Sequence, residues 1–237
     1  MPSPDKPTGK QAVIFDLFFT LLTADIADDE FPPTHETLGV DKQSWREQTF
    51  GTSHNRLTGV QTDPYRIVES MAHAIDPTIL GSVVRDATEL RIARFEHTLM
   101  NPPESTLSVL RELRQRGLKT ALISNADTIE TQPFHRSPLA SMLDVTVLSW
   151  EVGLVKPQPE IYQHCLELLG LQASQCVFVG DGGSNELSGA RSVGLTAVFA
   201  TGMMPELTKQ EVEQRKSIAH YTIGELTELL TLVNDGS

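Results

Sequence analysis

Apolar residues fall along this chain in two rhythms. Short unbroken runs rich in Val, Ile, Leu and Phe occupy 12–15, 120–123, 145–148, 177–179 and 196–199. A run without polar alternation predicts a strand buried on both faces, as in a parallel sheet covered by helices. Between these runs the apolar positions recur three or four apart. Leu107, Leu110 and Leu113 mark a helix over 105–116 stopped by Gly117, and Ile161, Leu166 and Leu169 mark another over 159–169 stopped by Gly170. A short helix over 186–193 ends at Gly194, and a last strand and helix are expected at 220–223 and 224–233. Strand then helix, repeated, predicts an α/β fold: a Rossmann-like parallel sheet core flanked by helices, with right-handed crossovers.

The first and second runs are separated by a long stretch with little strand character. Within it, 44–50, 64–75 and 79–97 have helical spacing, punctuated by Asp-Pro, Pro-Pro and Thr-Gly steps. An inserted all-helical cap domain at 23–103 is expected, leaving 1–22 and 104–237 as the catalytic core. The 237 residues are enough for such a core plus an insertion.

Charge narrows the partners. With 19 basic against 31 acidic residues the net charge is −12, which repels nucleic acid and anionic membrane surfaces. An anionic substrate stays compatible, because a bound cation can reverse the field in one pocket. The proline-rich start, 1–10, has no apolar core of a signal peptide, and no run is long enough to cross a bilayer. The expectation is a cytoplasmic monomer or homodimer with no nucleic-acid or membrane partner. Cys165 and Cys176 lie in apolar contexts and are expected as buried free thiols.

Polar groups then stand out at the strand ends. Asp16 follows the first run, with Thr20 four residues on. Ser124 and Asn125 follow the second, Lys156 precedes the 159–169 helix, and Asp181 follows the fourth run, leading through Gly182 and Gly183 to Glu186. Singly, each is a turn former, a helix cap or a solvated lysine. Together they sit where open α/β sheets bind ligands, outside the carboxyl ends of the strands. The chemistry they suit is attack by the Asp16 carboxylate on phosphorus or carbon. Ser124, the Asn125 N–H and the Lys156 ammonium would hold the oxygens of the transferred group. Asp16, Asp181 and Glu186 in one pocket repel one another unless a cation lies among them, and Mg²⁺ is the hard, oxygen-liganded choice.

The segments Phe15-Asp16-Leu17-Phe18-Phe19-Thr20-Leu21, Ile123-Ser124-Asn125, Val155-Lys156-Pro157 and Val179-Gly180-Asp181, the last running into Glu186, resemble those of the haloacid dehalogenase superfamily of hydrolases. The likeness runs from about 11 to 200 and is to members with a helical cap after the first strand. It implies a Rossmann-like core, an aspartyl-enzyme intermediate, usually Mg²⁺, and the backbone carbonyl of Phe18 as a further metal ligand. Two residues depart from the pattern. Phosphatases of the family carry Asp at the position of Phe18, where it protonates the leaving alkoxide; such general acid–base help is typically worth ~10²–10⁴-fold. Halide leaves without a proton, and the family's dehalogenases also have a non-acidic residue there. Asp181 points the other way, since that branch usually lacks the Gly-Asp pair. The second departure is Glu186, where Asp is commoner. The expected function is hydrolysis of a small phosphorylated metabolite. The alternatives are 2-haloacid dehalogenase-type chemistry, or a catalytically weakened member with a binding or regulatory role. A signalling receiver domain also uses an Asp, a hydroxyl and a Lys, but is about half this length and needs an acidic pair that is missing here.

The insertion is expected to choose the substrate. His54 and Arg56, between Gly51 and Gly59, are the candidates for an anionic group, while Trp45 and Phe50 are expected in the insertion's core.

Overall fold

The computed structural model describes residues 9–23, 31–203 and 207–233; most of the proline-rich start lies outside them. Six strands form one sheet: β1 (Ala12–Phe15), β2 (Lys119–Ser124), β3 (Val145–Leu148), β4 (Cys176–Gly180), β5 (Thr196–Ala200) and β6 (Tyr221–Ile223). Their order is β3-β2-β1-β4-β5-β6 and every pairing is parallel. The unbroken apolar runs have the expected cause. Val13 and Phe15 point into one hydrophobic cluster, Ala12 and Ile14 into the other, so neither face of β1 meets water.

Between β1 and the helix that leads into β2, the described residues form five helices: α1 (Thr34–Leu38), α2 (Lys42–Gly51), α3 (His54–Leu57), α4 (Pro64–Ile75) and α5 (Gly81–Met100). Asp41 starts α2 by accepting from the Ser44 N–H at 2.9 Å, and Asp63 starts α4 in the same way at Arg66, with Pro64 in the first turn. These helices bury a third cluster of their own, centred on Trp45, Val68, Met71, Val84 and Phe95. Phe18 packs against both this cluster and the sheet cluster of Val13 and Phe15.

The remaining helices are α6 (Glu104–Gln115), α7 (Thr128–Thr131), α8 (Ser149–Val152), α9 (Pro159–Leu169), α10 (Glu186–Ser192), α11 (Lys209–Ile218) and α12 (Leu229–Leu232). Val109, Leu110 and Leu113 of α6 and Leu229 of α12 cover one sheet face; Ile161, Tyr162 and Cys165 of α9 and Leu187 of α10 cover the other. Two expectations need correction. The helix expected over 224–233 is a 3₁₀ turn at Leu226–Glu228 followed by the single-turn α12. Helix α11 was not expected at all, since none of its residues is buried and its apolar positions have no period. Cys165 and Cys176 are free and buried, and burial pushes the Cys176 thiol up to about 11. Among the described residues no helix is long and apolar enough to cross a membrane.

Candidate active site

Register decides which polar groups meet. Phe15 lies opposite both Leu122 and Val179, so Asp16, Ser124 and Asp181 leave the sheet at the same edge. The Asp16 N–H still donates to the Val179 carbonyl at 2.9 Å, which fixes its backbone to β4. The chain builds outward from β1 to β3, then returns to start β4 on the other side of β1. That reversal opens a crevice between β1 and β4 at their carboxyl ends.

Lys156 closes the crevice from the side. Its ammonium donates to Asp16 Oδ1, and to Glu186 Oε2 at 2.6 Å. Asn125 sets where this lysine stands: its amide nitrogen donates to the Lys156 carbonyl at 2.9 Å and its amide oxygen accepts from the Lys156 N–H at 2.8 Å. Glu186 reaches back under the strand end, its Oε1 accepting from the Gly182 N–H at 3.0 Å. A side chain at Gly180 would collide with that carboxylate, so glycine is what lets Glu186 take this position. Arg215 of α11 donates to the Asp181 carbonyl and, at 2.9 Å, to Asp181 Oδ2.

Asp16, Lys156, Asp181 and Glu186 are almost wholly buried. Burial pushes the Asp16 and Glu186 carboxyls up, with the Lys156 ammonium opposing it and Asp181 adding to it. On Lys156 burial acts to depress, but Asp16 and Glu186 outweigh it and hold the ammonium above the usual lysine range. Asp16, Asp181 and Glu186 each offer an oxygen within 4.8 Å of the others. Three buried, hard oxygen donors in one group suit a divalent cation such as Mg²⁺.

A model of the haloacid dehalogenase-like hydrolase family matches residues 10–194, from β1 through the Lys156 loop to the end of α10. The chain belongs to the haloacid dehalogenase-like hydrolases. It is 27% identical over 171 residues to a glyceraldehyde 3-phosphate phosphatase of Methanocaldococcus jannaschii, covering 71% of this chain and 70% of that one. It is 32% identical over 130 residues to a phosphoserine phosphatase of Thermus thermophilus, covering 53% of this chain and 52% of that one. The solved L-2-haloacid dehalogenase of Xanthobacter autotrophicus superposes with a TM-score of 0.65 at 20% identity, covering 96% and 100%. At that identity the likeness is one of fold.

In this haloacid dehalogenase-like hydrolase a cavity of about 520 Å³ opens over the acidic cluster. Asp16, Ser124, Asn125, Lys156, Asp181 and Glu186 border it, as does the ring of Phe18. That ring packs edge-on against Phe95 of α5, with centroids 5.5 Å apart. Thr20 is not on the wall. The tight turn after Phe18 brings it back beneath Asp16, where it is buried and its hydroxyl donates to Asp16 Oδ2 at 3.3 Å. Its expected contact with substrate is therefore corrected to support of the carboxylate.

The insertion also departs from expectation. Arg56 does border the cavity, but on helix α3 rather than a loop. Its guanidinium is committed to Asp127 at 2.6 Å and to the Thr49 carbonyl, and its Nε is enclosed without a partner. His54, two residues earlier, is exposed and does not line the cavity, because two residues turn a helix by about 200° and put the two side chains on opposite faces. Trp45 joins the insertion's core as expected, whereas Phe50 is 70% exposed and lines the cavity. Sequence reasoning missed Arg91 with its partner Glu130, and missed Leu207 ahead of α11 and Glu211 and Arg215 on it.

Proposed function

We propose that this protein hydrolyses phosphate monoesters of a small metabolite, with Asp16 as nucleophile and Mg²⁺ as cofactor. The observation that carries this reading is the shared Lys156 ammonium, which bonds both Asp16 and Glu186 while Asp181 completes the acidic group. Three carboxylates face two cations, Lys156 and Arg215, so one negative charge is left over. A phosphate dianion would be repelled there, whereas a divalent ion turns the balance positive. The phosphatase names of the two relatives support the same substrate class.

An oxygen of Asp16 attacks phosphorus as the ester P–O bond breaks, giving an aspartyl phosphate and the leaving alkoxide. Water then cleaves the acyl phosphate, restoring the Asp16 carboxylate and releasing inorganic phosphate. Ser124, the Asn125 N–H and Lys156 hold the non-bridging oxygens. Mg²⁺, held by Asp16, Asp181, Glu186 and the Phe18 carbonyl, would shield nucleophile from substrate and stabilise the developing charge. Thr20 keeps Asp16 aimed, and Asn125 keeps Lys156 in reach. Phe18 offers no proton to the leaving group, so esters of more acidic alcohols are the favoured substrates. In this reading 1–22 and 104–237 are the catalytic core, and 23–103 act as a cap whose Arg56, Phe50 and Phe95 shape the substrate's far end. The enzyme works in the cytoplasm as a monomer or homodimer.

Phe18 also favours a second reading, carbon–halogen hydrolysis, which needs no proton donor. The two are separated by assaying purified protein for phosphate release from a panel of phosphorylated metabolites and halide release from 2-haloacids, each with Mg²⁺ or EDTA. The first reading expects phosphate release that EDTA abolishes. Halide release indifferent to EDTA would replace it with the second.

A further inference from the structure

Arg215 is the cation of this site that the family's strand-end pattern does not include, and it arrives from a helix with an otherwise polar character. The capping box of Thr208 and Glu211 fixes where α11 begins. Glu211 and Arg215 then fall four apart on one face of α11, and both border the cavity together with Leu207, which precedes the helix. The Arg215 stem passes over Gly182, where an added Cβ would come within 2.9 Å of Arg215 Cδ. That passage lets Nη1 reach the Asp181 carbonyl at 2.5 Å and Oδ2 at 2.9 Å, while Oδ1 accepts from the Gly183 N–H at 3.0 Å.

The two cations of the site differ in how firmly they are held. The Lys156 side chain is 2% exposed and its backbone is clamped by Asn125. The Arg215 side chain is 19% exposed, on a helix with no buried residue. Asp181 is thus the one carboxylate of the three whose positive partner can leave without unpacking the core.

We infer that Arg215 is a resident competitor for Asp181: it occupies the carboxylate in place of a divalent cation, and its release sets how tightly that cation is held. The inference rests on the metal site proposed above. The guanidinium and a divalent ion draw on the same carboxylate, and a unit charge a few ångströms from a divalent ion weakens its binding, here on the order of tenfold. Once displaced, the guanidinium still stands on the cavity wall beside Glu211, where an anionic substrate is its next partner.

The test is calorimetric titration of Mg²⁺ into the full-length wild type, Arg215→Met, Arg215→Lys and Asp181→Asn, each checked for native circular dichroism. Arg215→Met is expected to bind Mg²⁺ about tenfold more tightly. Arg215→Lys, which keeps the charge on a shorter stem, should fall between it and the wild type. Unchanged or weaker binding by Arg215→Met, with Asp181→Asn losing the ion, would overturn the competition and leave the metal site standing. Full binding by Asp181→Asn would instead overturn the metal site itself. Absence of saturable binding in every form would overturn both.

Discussion

The floor and the roof of the cavity are both built from buried ion pairs, and they are balanced differently. In the roof, Arg56 and Arg91 come from the insertion and meet Asp127 and Glu130 of α7 at 2.6 and 3.0 Å. The pairing is one to one, and the two acids also complete the capping box that starts α7. On the floor, Asp16, Asp181 and Glu186 share Lys156 and Arg215. Burial raises Glu130 as it raises Asp16 and Glu186, so neither burial nor a shifted carboxyl tells the two regions apart. The count does. A saturated pair tying two elements together suits a structural fastening, whereas an acidic surplus at strand ends suits the cation and the reaction proposed above.

The sharpest break of this contrast is Asp16→Asn. Phosphate release should fall on the order of 10³-fold or more. The urea midpoint should hold or rise, because one of three crowded carboxylates is gone. Activity within tenfold of wild type would remove Asp16 as nucleophile. The counterpart in the roof is Arg56→Met, which strands the buried Asp127 and should cost about 3–5 kcal/mol in urea unfolding. Adding Asp127→Asn should recover most of that loss, because it removes the stranded charge and keeps a side-chain oxygen to accept from the Glu130 N–H that caps α7. A single variant as stable as the double would mean that the pair is not a fastening. The smallest expected effect is Phe18→Asp, a rise on the order of 10²-fold in kcat/KM for alkyl phosphates with little change for aryl phosphates. An equal change for both classes would show that the new acid is not protonating the leaving group.

The sheet was legible because strands covered on both faces are apolar at every position, and the floor was legible because its groups stand at the ends of those runs. Asp16, Ser124, Lys156, Asp181 and Glu186 could be found this way. Arg215 could not, for its helix is polar all round and its role depends on where α11 packs. Phe50 misled because an aromatic on an amphipathic helix reads as core, whereas here it faces the cavity and solvent. Arg56 and His54 looked equivalent until helix α3 turned one inward and the other out. Thr20, expected to touch the substrate, is set behind the carboxylate by the tight turn after Phe18, which a spacing of four residues does not reveal.

Phe18 is the residue that belongs to two hydrophobic cores at once. If the insertion swings away from the sheet, it has to pull Phe95 off this ring, and the tug is delivered two positions along the backbone from Asp16. The aromatic that leaves the proposed reaction without a proton donor is thus also the joint between the insertion's packing and the strand end that carries Asp16.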